Sequence, residues 1–185
     1  TDYLEATTVD VIITVNQNQQ VIDIPDAIQD TITKYYNDSS FNLQATSTGT
    51  GNFYYSVIDG SSVSVDVSGN VTIKSGGISV IKVTQGSNIN YEEETVYVNI
   101  DVKQIAQIIS VDSSFNRTYG DVSFNLHPTS TGTGLITYAR KSGSSVEVDP
   151  SGNVTIKSGG ESVITISQSD NINYLDASSV DVTIY

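Results

Sequence analysis

The chain is 185 residues long, contains no Cys, Met or Trp, and carries 21 acidic against 8 basic side chains, a formal net charge of −13. That balance argues against nucleic-acid binding, which needs basic stripes to replace phosphate counterions, and against anionic membrane surfaces. The absence of Cys removes disulfides and thiolate metal sites together, and no apolar run approaches membrane-spanning length.

Val, Ile, Thr and Tyr favour a pleated, half-buried surface, and Ser, Asn and Gly supply turns. Along the chain, Tyr3 to Val11 is a near-twin of Tyr174 to Val182, the closing stretch. Residues 1–16 are therefore expected to be the last strand of an earlier repeat, or a donor strand, and the chain a piece of something longer. A lone strand exposes unpaired backbone groups, so pairing with a copy of the module is part of that expectation. Residues 17–102 and 103–185 then form two copies of one module. Ser68 to Gly77 recurs unchanged as Ser151 to Gly160, at an offset of 83. The same offset carries Thr46 to Gly51 onto Thr129 to Gly134, and Phe41-Asn42-Leu43 onto Phe124-Asn125-Leu126. The first copy has about five extra residues within Asp26 to Thr33.

Period-two alternation predicts the strands, since it buries one face and wets the other. Phe41, Leu43 and Ala45 begin the series in copy one, followed by Phe53 with Tyr55, Val63 with Val65, Val71 with Ile73, and Ile81 with Val83. Val96, Val98 and Ile100 close it. Copy two follows with Phe124, Leu126 and Pro128, then Ile136 with Tyr138, Val146 with Val148, Val154 with Ile156, and Ile164 with Ile166. Val180, Val182 and Ile184 close that copy, with a one-residue slip against the first. Short strands separated by turn signals are the signature of a sandwich or barrel. Asp66 to Asn70 and Asp149 to Asn153 read as tight hairpins in which Gly and Asn take positive φ. Gly76-Gly77 and Gly159-Gly160 read as a bulge or corner. Tyr91 and Tyr174 read as corner locks, each ring buried and each hydroxyl bonded to backbone.

Tyr119-Gly120-Asp121, Phe124-Asn125-Leu126, Thr137-Tyr138, Val146-Glu147-Val148, Gly152 to Ile156, Gly159, Ile164, Gln168 and Asn173-Tyr174 together resemble the bacterial Ig-like repeat of long surface proteins and adhesins. Copy one follows with Tyr36-Asn37-Asp38, where Asn37 replaces the usual Gly. The resemblance covers essentially the whole chain. It implies an all-β fold of tandem Ig-like β-sandwich domains, used outside the cell or on a virion as stalk, spacer, fibre or adhesive segment. The implied partners are neighbouring Ig-like modules, including copies of this chain through a shared strand.

Candidate chemistry is sparse, and no catalytic, cofactor-binding or metal-binding residues are assigned. His127 is the only His, and its equivalent is Gln44, so it reads as a surface group. Glu92-Glu93-Glu94 reads as a solvated loop. Asp23, Asp26 and Asp30, before the first copy, could line a Ca²⁺ site at the junction, although Ca²⁺ needs six or more oxygens in a defined shell. Asn37, Asn70, Asn116 and Asn153 head N-x-S/T sequons and are candidate glycosylation sites if the chain passes through a glycosylating route. Tyr35, Tyr36, Tyr54 and Tyr97 are the aromatics expected to mark a binding face, if there is one. The short junction Val102-Lys103-Gln104-Ile105 is not Gly/Ser-rich and predicts limited bending between modules.

Overall fold

The computed structural model describes residue 2 and residues 4–185; the expectations that fall on Thr1 and Tyr3 lie outside the described residues. The first module contains β1 (Ile22–Asp23), β2 (Thr31–Tyr35), β3 (Phe41–Asn42), β4 (Thr46–Ser47), β5 (Phe53–Asp59), β6 (Val63–Val65), β7 (Asn70–Ile73), β8 (Gly77–Gln85) and β9 (Glu94–Lys103). The second repeats the series as β10 (Ile109–Ser110), β11 (Ser114–Phe115), β12 (Phe124–Asn125), β13 (Thr129–Ser130), β14 (Ile136–Ser142), β15 (Val146–Val148), β16 (Asn153–Ile156), β17 (Ser162–Gln168) and β18 (Val180–Ile184).

One layer of the first module is a four-stranded sheet in the order β2-β9-β8-β5. The facing layer combines β3-β7-β6 with the short β1-β4 pair. The second module matches it with β11-β18-β17-β14 facing β12-β16-β15 and β10-β13. In both, an early strand runs parallel to the last one: β2 to β9, and β11 to β18. This two-layer order, with the first strand divided between the layers, is that of an Ig-like sandwich. Each module encloses its own core. Leu43, Val71, Ile81, Val83 and Ile100 centre the first, and Leu126, Val154, Ile164, Ile166 and Val182 the second. These are the inward members of the alternating strands, so the hydrophobic period places them.

A buried hydroxyl pair spans the two layers in each copy. Ser62 lies 2.7 Å from Ser79, and Ser145 lies 2.7 Å from Ser162. The extra stretch in copy one amounts to four residues, because the offset falls from 87 at Gln20/Gln107 to 83 at Tyr36/Tyr119. It turns through Gln29 and Asp30, both at positive φ, and leads into a β2 of five residues where β11 has two.

Three local expectations are refined. The strand begun at Phe41 is interrupted at Gln44, and its twin at His127; both take positive φ and separate β3 from β4 and β12 from β13. In the hairpins only Gly69 and Gly152 take positive φ, each at +79°. Asn70 and Asn153 act instead through their side chains, as described below. Among the described residues neither the Tyr91 nor the Tyr174 hydroxyl makes a hydrogen bond, and Tyr91 is only half-buried. Their corner is held by Asn88 and Asn171, whose Oδ1 atoms accept from the backbone N–H of Tyr91 and Tyr174 at 3.1 Å.

Residues 4–16 carry no strand assignment. Val9, Val11, Ile13 and Val15 are 78–88% exposed.

Candidate functional site

The positions singled out for chemistry do not converge. His127 sits on an exposed turn, its backbone N–H donating to Asn125 Oδ1 at 2.7 Å. Asp23 lies in β1, while Asp26 and Asp30 occupy the turns that follow. Among the described residues, no group of three or more His, Asp or Glu side chains is placed to hold a metal ion. Tyr36 packs against the first core and meets Tyr174 of the second module, while Tyr35 is exposed. Tyr54 and Tyr97 share the outer face of the four-stranded sheet, through the cross-strand pairs Tyr54–Thr84 and Lys82–Tyr97. Both are more than half exposed. Thr137 and Asp181 stand at the matching register positions of copy two.

The sequon asparagines divide into two kinds. Asn37 and Asn116 are exposed, and Asn37 takes positive φ where copy two has Gly120. Asn70 and Asn153 brace the hairpins. Asn153 Nδ2 donates to Asp149 Oδ2 at 2.8 Å, and its Oδ1 accepts from Asn125 Nδ2 at 3.0 Å. Asn70, Asp66 and Asn42 repeat this. Each aspartate also accepts two backbone N–H groups through Oδ1. The asparagine side chain, followed by these backbone donors, holds the carboxyls of Asp66 and Asp149 below the usual aspartate range. Lys141 and then Thr165 do the same for Asp181, and Lys157 for Glu147. A carboxyl whose pKa is lowered by folding adds stability that is complete above its unfolded value and is lost as pH falls through its folded value. The chain is therefore expected to lose stability below about pH 4. The double variant Asp66→Asn/Asp149→Asn is expected to show a shallower loss, measured as urea midpoints across the acid range.

Among the described residues, the joint between modules is crossed by one hydrogen bond and one aromatic pair. The tip Asn171-Ile172-Asn173-Tyr174, between β17 and β18, reaches the far end of the first module. Gly76 N–H donates to Asn173 Oδ1 at 3.0 Å. The Tyr174 ring meets Tyr36 edge-on, with centroids 5.6 Å apart, a favoured aromatic arrangement. The Ile172 carbonyl oxygen lies 2.0 Å from where a Cβ on Gly76 would stand, so only glycine admits it. The linker is bound into the same contact. Ile105 N–H donates to Asn173 O at 3.1 Å, Leu175 N–H donates to Ile105 O at 2.9 Å, and Gln104 Nε2 donates to Asn171 O.

Below the tip lies a buried amide that sequence reading missed. Gln107 Nε2 donates to Ser169 O at 2.7 Å and Leu175 O at 2.8 Å, gripping both ends of the loop. Gln20 holds the first module's loop in the same way, through Gln85 O and Glu92 O. The repeated Thr-Ser-Thr-Gly-Thr-Gly motif makes room for it. A Cβ on Gly49 would meet Gln20 Oε1 at 1.9 Å, and one on Gly132 would meet Gln107 Oε1 at 2.2 Å. The signal available in the sequence was the pair of glycines shared by both copies.

The sheet order defines two tandem Ig-like β-sandwich domains. No protein-family model matches the chain, and no curated protein does. Solved structures to which the chain is similar include Drosophila N-cadherin EC1-3, 17% identical over 91% of this chain and 67% of that one, with a TM-score of 0.34. Human CDH23 EC21-23 is 15% identical over 92% of this chain and 65% of that one, at 0.39. Surface layer protein SbsC, domains 1-6, is 18% identical over 89% of this chain and 27% of that one, at 0.38. The chain spans about two thirds of the first two and about a quarter of the third.

Proposed function

We propose that the chain is a non-catalytic structural segment of an extracellular or virion-surface stalk, fibre or filament, in which stacked sandwiches set distance. The supporting observation is the joint: Asn173, Tyr174, Tyr36 and Gly76 hold two separate cores in one end-to-end arrangement. Small-angle scattering of the whole chain is expected to give an elongated particle with a narrow spread of inter-module angles. Gly76→Ala places a methyl against the Ile172 carbonyl and is expected to widen that spread. A broad spread in the unaltered chain would overturn the reading.

The same proposal takes residues 1–16 as the closing strand of a preceding repeat. At an offset of 87, Val9, Val11, Ile13 and Val15 fall on Val96, Val98, Ile100 and Val102 of β9, and Gln17 and Gln20 fall on Gln104 and Gln107. Val98, Ile100 and Val102 are buried to within 2%, so their exposed counterparts match an inward face awaiting its sheet. Both modules already hold their own last strands, β9 and β18. The segment therefore suits a module that lacks one. An electron cryomicroscopy map of the assembled particle decides whether that module precedes it in the same chain or belongs to a neighbour.

A second reading, an adhesive module for a sugar or protein, is favoured by the exposed Tyr54–Lys82–Tyr97 face of the first module. Absence of sugar or protein binding by the unaltered chain would dismiss it, and binding that survives Tyr54→Ala/Tyr97→Ala would move the site off this face.

A further inference from the structure

The internal joint uses only half of the joining parts present. It takes the tip of the second module and the receiving end of the first. The other two parts are the tip Asn88-Ile89-Asn90-Tyr91 of the first module and the end of the second, where Tyr119 stands beside Ser158-Gly159-Gly160. Both have the same residues as the parts in use.

They also have the same conformation. Asn88 Oδ1 accepts the N–H groups of Asn90 and Tyr91 at 2.9 and 3.1 Å, as Asn171 Oδ1 accepts those of Asn173 and Tyr174 at 2.8 and 3.1 Å. At the receiving ends, Ser62 O accepts from the backbone of Lys74 and Ser75, and Ser145 O accepts from Lys157 and Ser158. The spare parts differ in being uncovered, and at the receiving end in that β8 begins at Gly77 whereas β17 begins at Ser162. Ile89 is 90% exposed where Ile172 is 62%, and Tyr119 is 71% exposed where Tyr36 is half-buried. The Asn90 side chain has no hydrogen-bond partner among the described residues, whereas Asn173 has Gly76.

Gly159 gives the second, independent observation. A Cβ there would meet nothing within 4 Å, and its φ lies outside the left-handed region. Neither local space nor backbone conformation requires glycine. At Gly76 the requirement is plain, because a carbonyl from the next module occupies the position of a Cβ. Gly159 meets the same requirement for a tip that docks from outside.

We infer that the end of the second module, around Gly159 and Tyr119, is a docking site for the Asn88–Tyr91 tip of a second copy of this chain. In that contact Asn90 Oδ1 accepts from Gly159 N–H, the Ile89 carbonyl passes over Gly159, and the Tyr91 ring meets the edge of Tyr119. Tip and receiving end lie at opposite ends of the molecule. The contact is heterologous and propagates a linear stack instead of closing a ring; residues 4–16 of the docking copy stay outside it, because β18 already holds the last-strand place in the receiving module. The inference deepens the spacer reading and rests on the same joint geometry.

The test is a titration of unlabelled full chain into ¹⁵N-labelled full chain, taken into the millimolar range and followed by amide shifts. The expected result is that residues 88–91 shift together with residues 117–119 and 158–160, along one binding curve. Gly159→Ala, whose methyl enters open space, is expected to abolish both sets of shifts and leave the rest of the spectrum unchanged. Asn90→Ala is expected to weaken the binding by roughly five- to tenfold, the loss of one hydrogen bond. Absence of shifts at these two ends, or shifts that persist in Gly159→Ala, would overturn the inference. If scattering shows a narrow inter-module angle while no shifts occur, the docking inference alone fails. A broad angle would remove the spacer reading beneath it.

Discussion

Replacing Ile164 by Ala is expected to lower the melting temperature of the second module sharply and leave that of the first nearly unchanged. Ile164 lies in β17, an inner strand of its four-stranded sheet, paired with Arg140 on one side and Val182 on the other. Its side chain is fully buried among Leu126, Val146, Val154 and Ile166. Truncation removes transferred apolar surface and leaves a cavity that a β-sandwich backbone collapses only partly, a combined cost of about 2–5 kcal/mol. In a domain of this size each kcal/mol moves the midpoint by roughly 4–8 °C. Scanning calorimetry of the full chain reads both modules at once. The matching variant Ile81→Ala is expected to lower the other transition, since Ile81 has the same place and burial in the first core. A single transition that shifts as a whole in both variants would mean that the joint couples the two cores into one cooperative unit.

How much of this was legible in the sequence depends on the distance over which each feature is determined. Strand positions and core members were legible because alternation is local: Phe53 and Tyr55 face inward and Tyr54 outward, as period two requires. The module copies were legible because identity at a fixed offset needs no structure. The interruption at Gln44 and His127 was not, since Gln is uncommon at positive φ and a single His, although enriched there, does not mark a break in an alternating strand. The role given to Tyr174 had the right location and the wrong mechanism. Its ring is buried, but by Tyr36 from another module, a partner 138 positions away in sequence. Asn70 and Asn153 were read as sequons and turn residues. Their link to Asp66 and Asp149 is a four-residue side-chain bridge that composition does not announce. The joint was anticipated only as a short, stiff linker. Its specificity resides in Asn173 and Gly76, which lie in loops that pattern reading treats as connections.

Replacing Gln107 by Ala is expected to destabilise the second module by about 3 kcal/mol and to loosen the joint beyond it. The side chain is 3% exposed. It donates to Ser169 O and Leu175 O and accepts from Gly134 N–H at 3.2 Å. Alanine leaves these three part-buried backbone groups without their side-chain partner, at about 1 kcal/mol each, the low end of the cost of an unsatisfied group. Gln107→Leu separates the causes, since it keeps most of the volume and none of the hydrogen bonds. Leucine is expected to be as damaging as alanine; recovery of stability would assign the role to packing. The consequence at a distance follows from position. Ser169 and Leu175 flank the tip that carries Asn173, and Asn173 Oδ1 holds the Gly76 N–H of the other module. Release of the loop at its base frees the tip, so amide exchange at Gly76 is expected to accelerate in Gln107→Ala while exchange in the first core, at Ile81 and Val83, stays slow. Unchanged protection of Gly76 would show that the tip keeps its shape without the amide, and that Asn171 and the linker hold the joint by themselves.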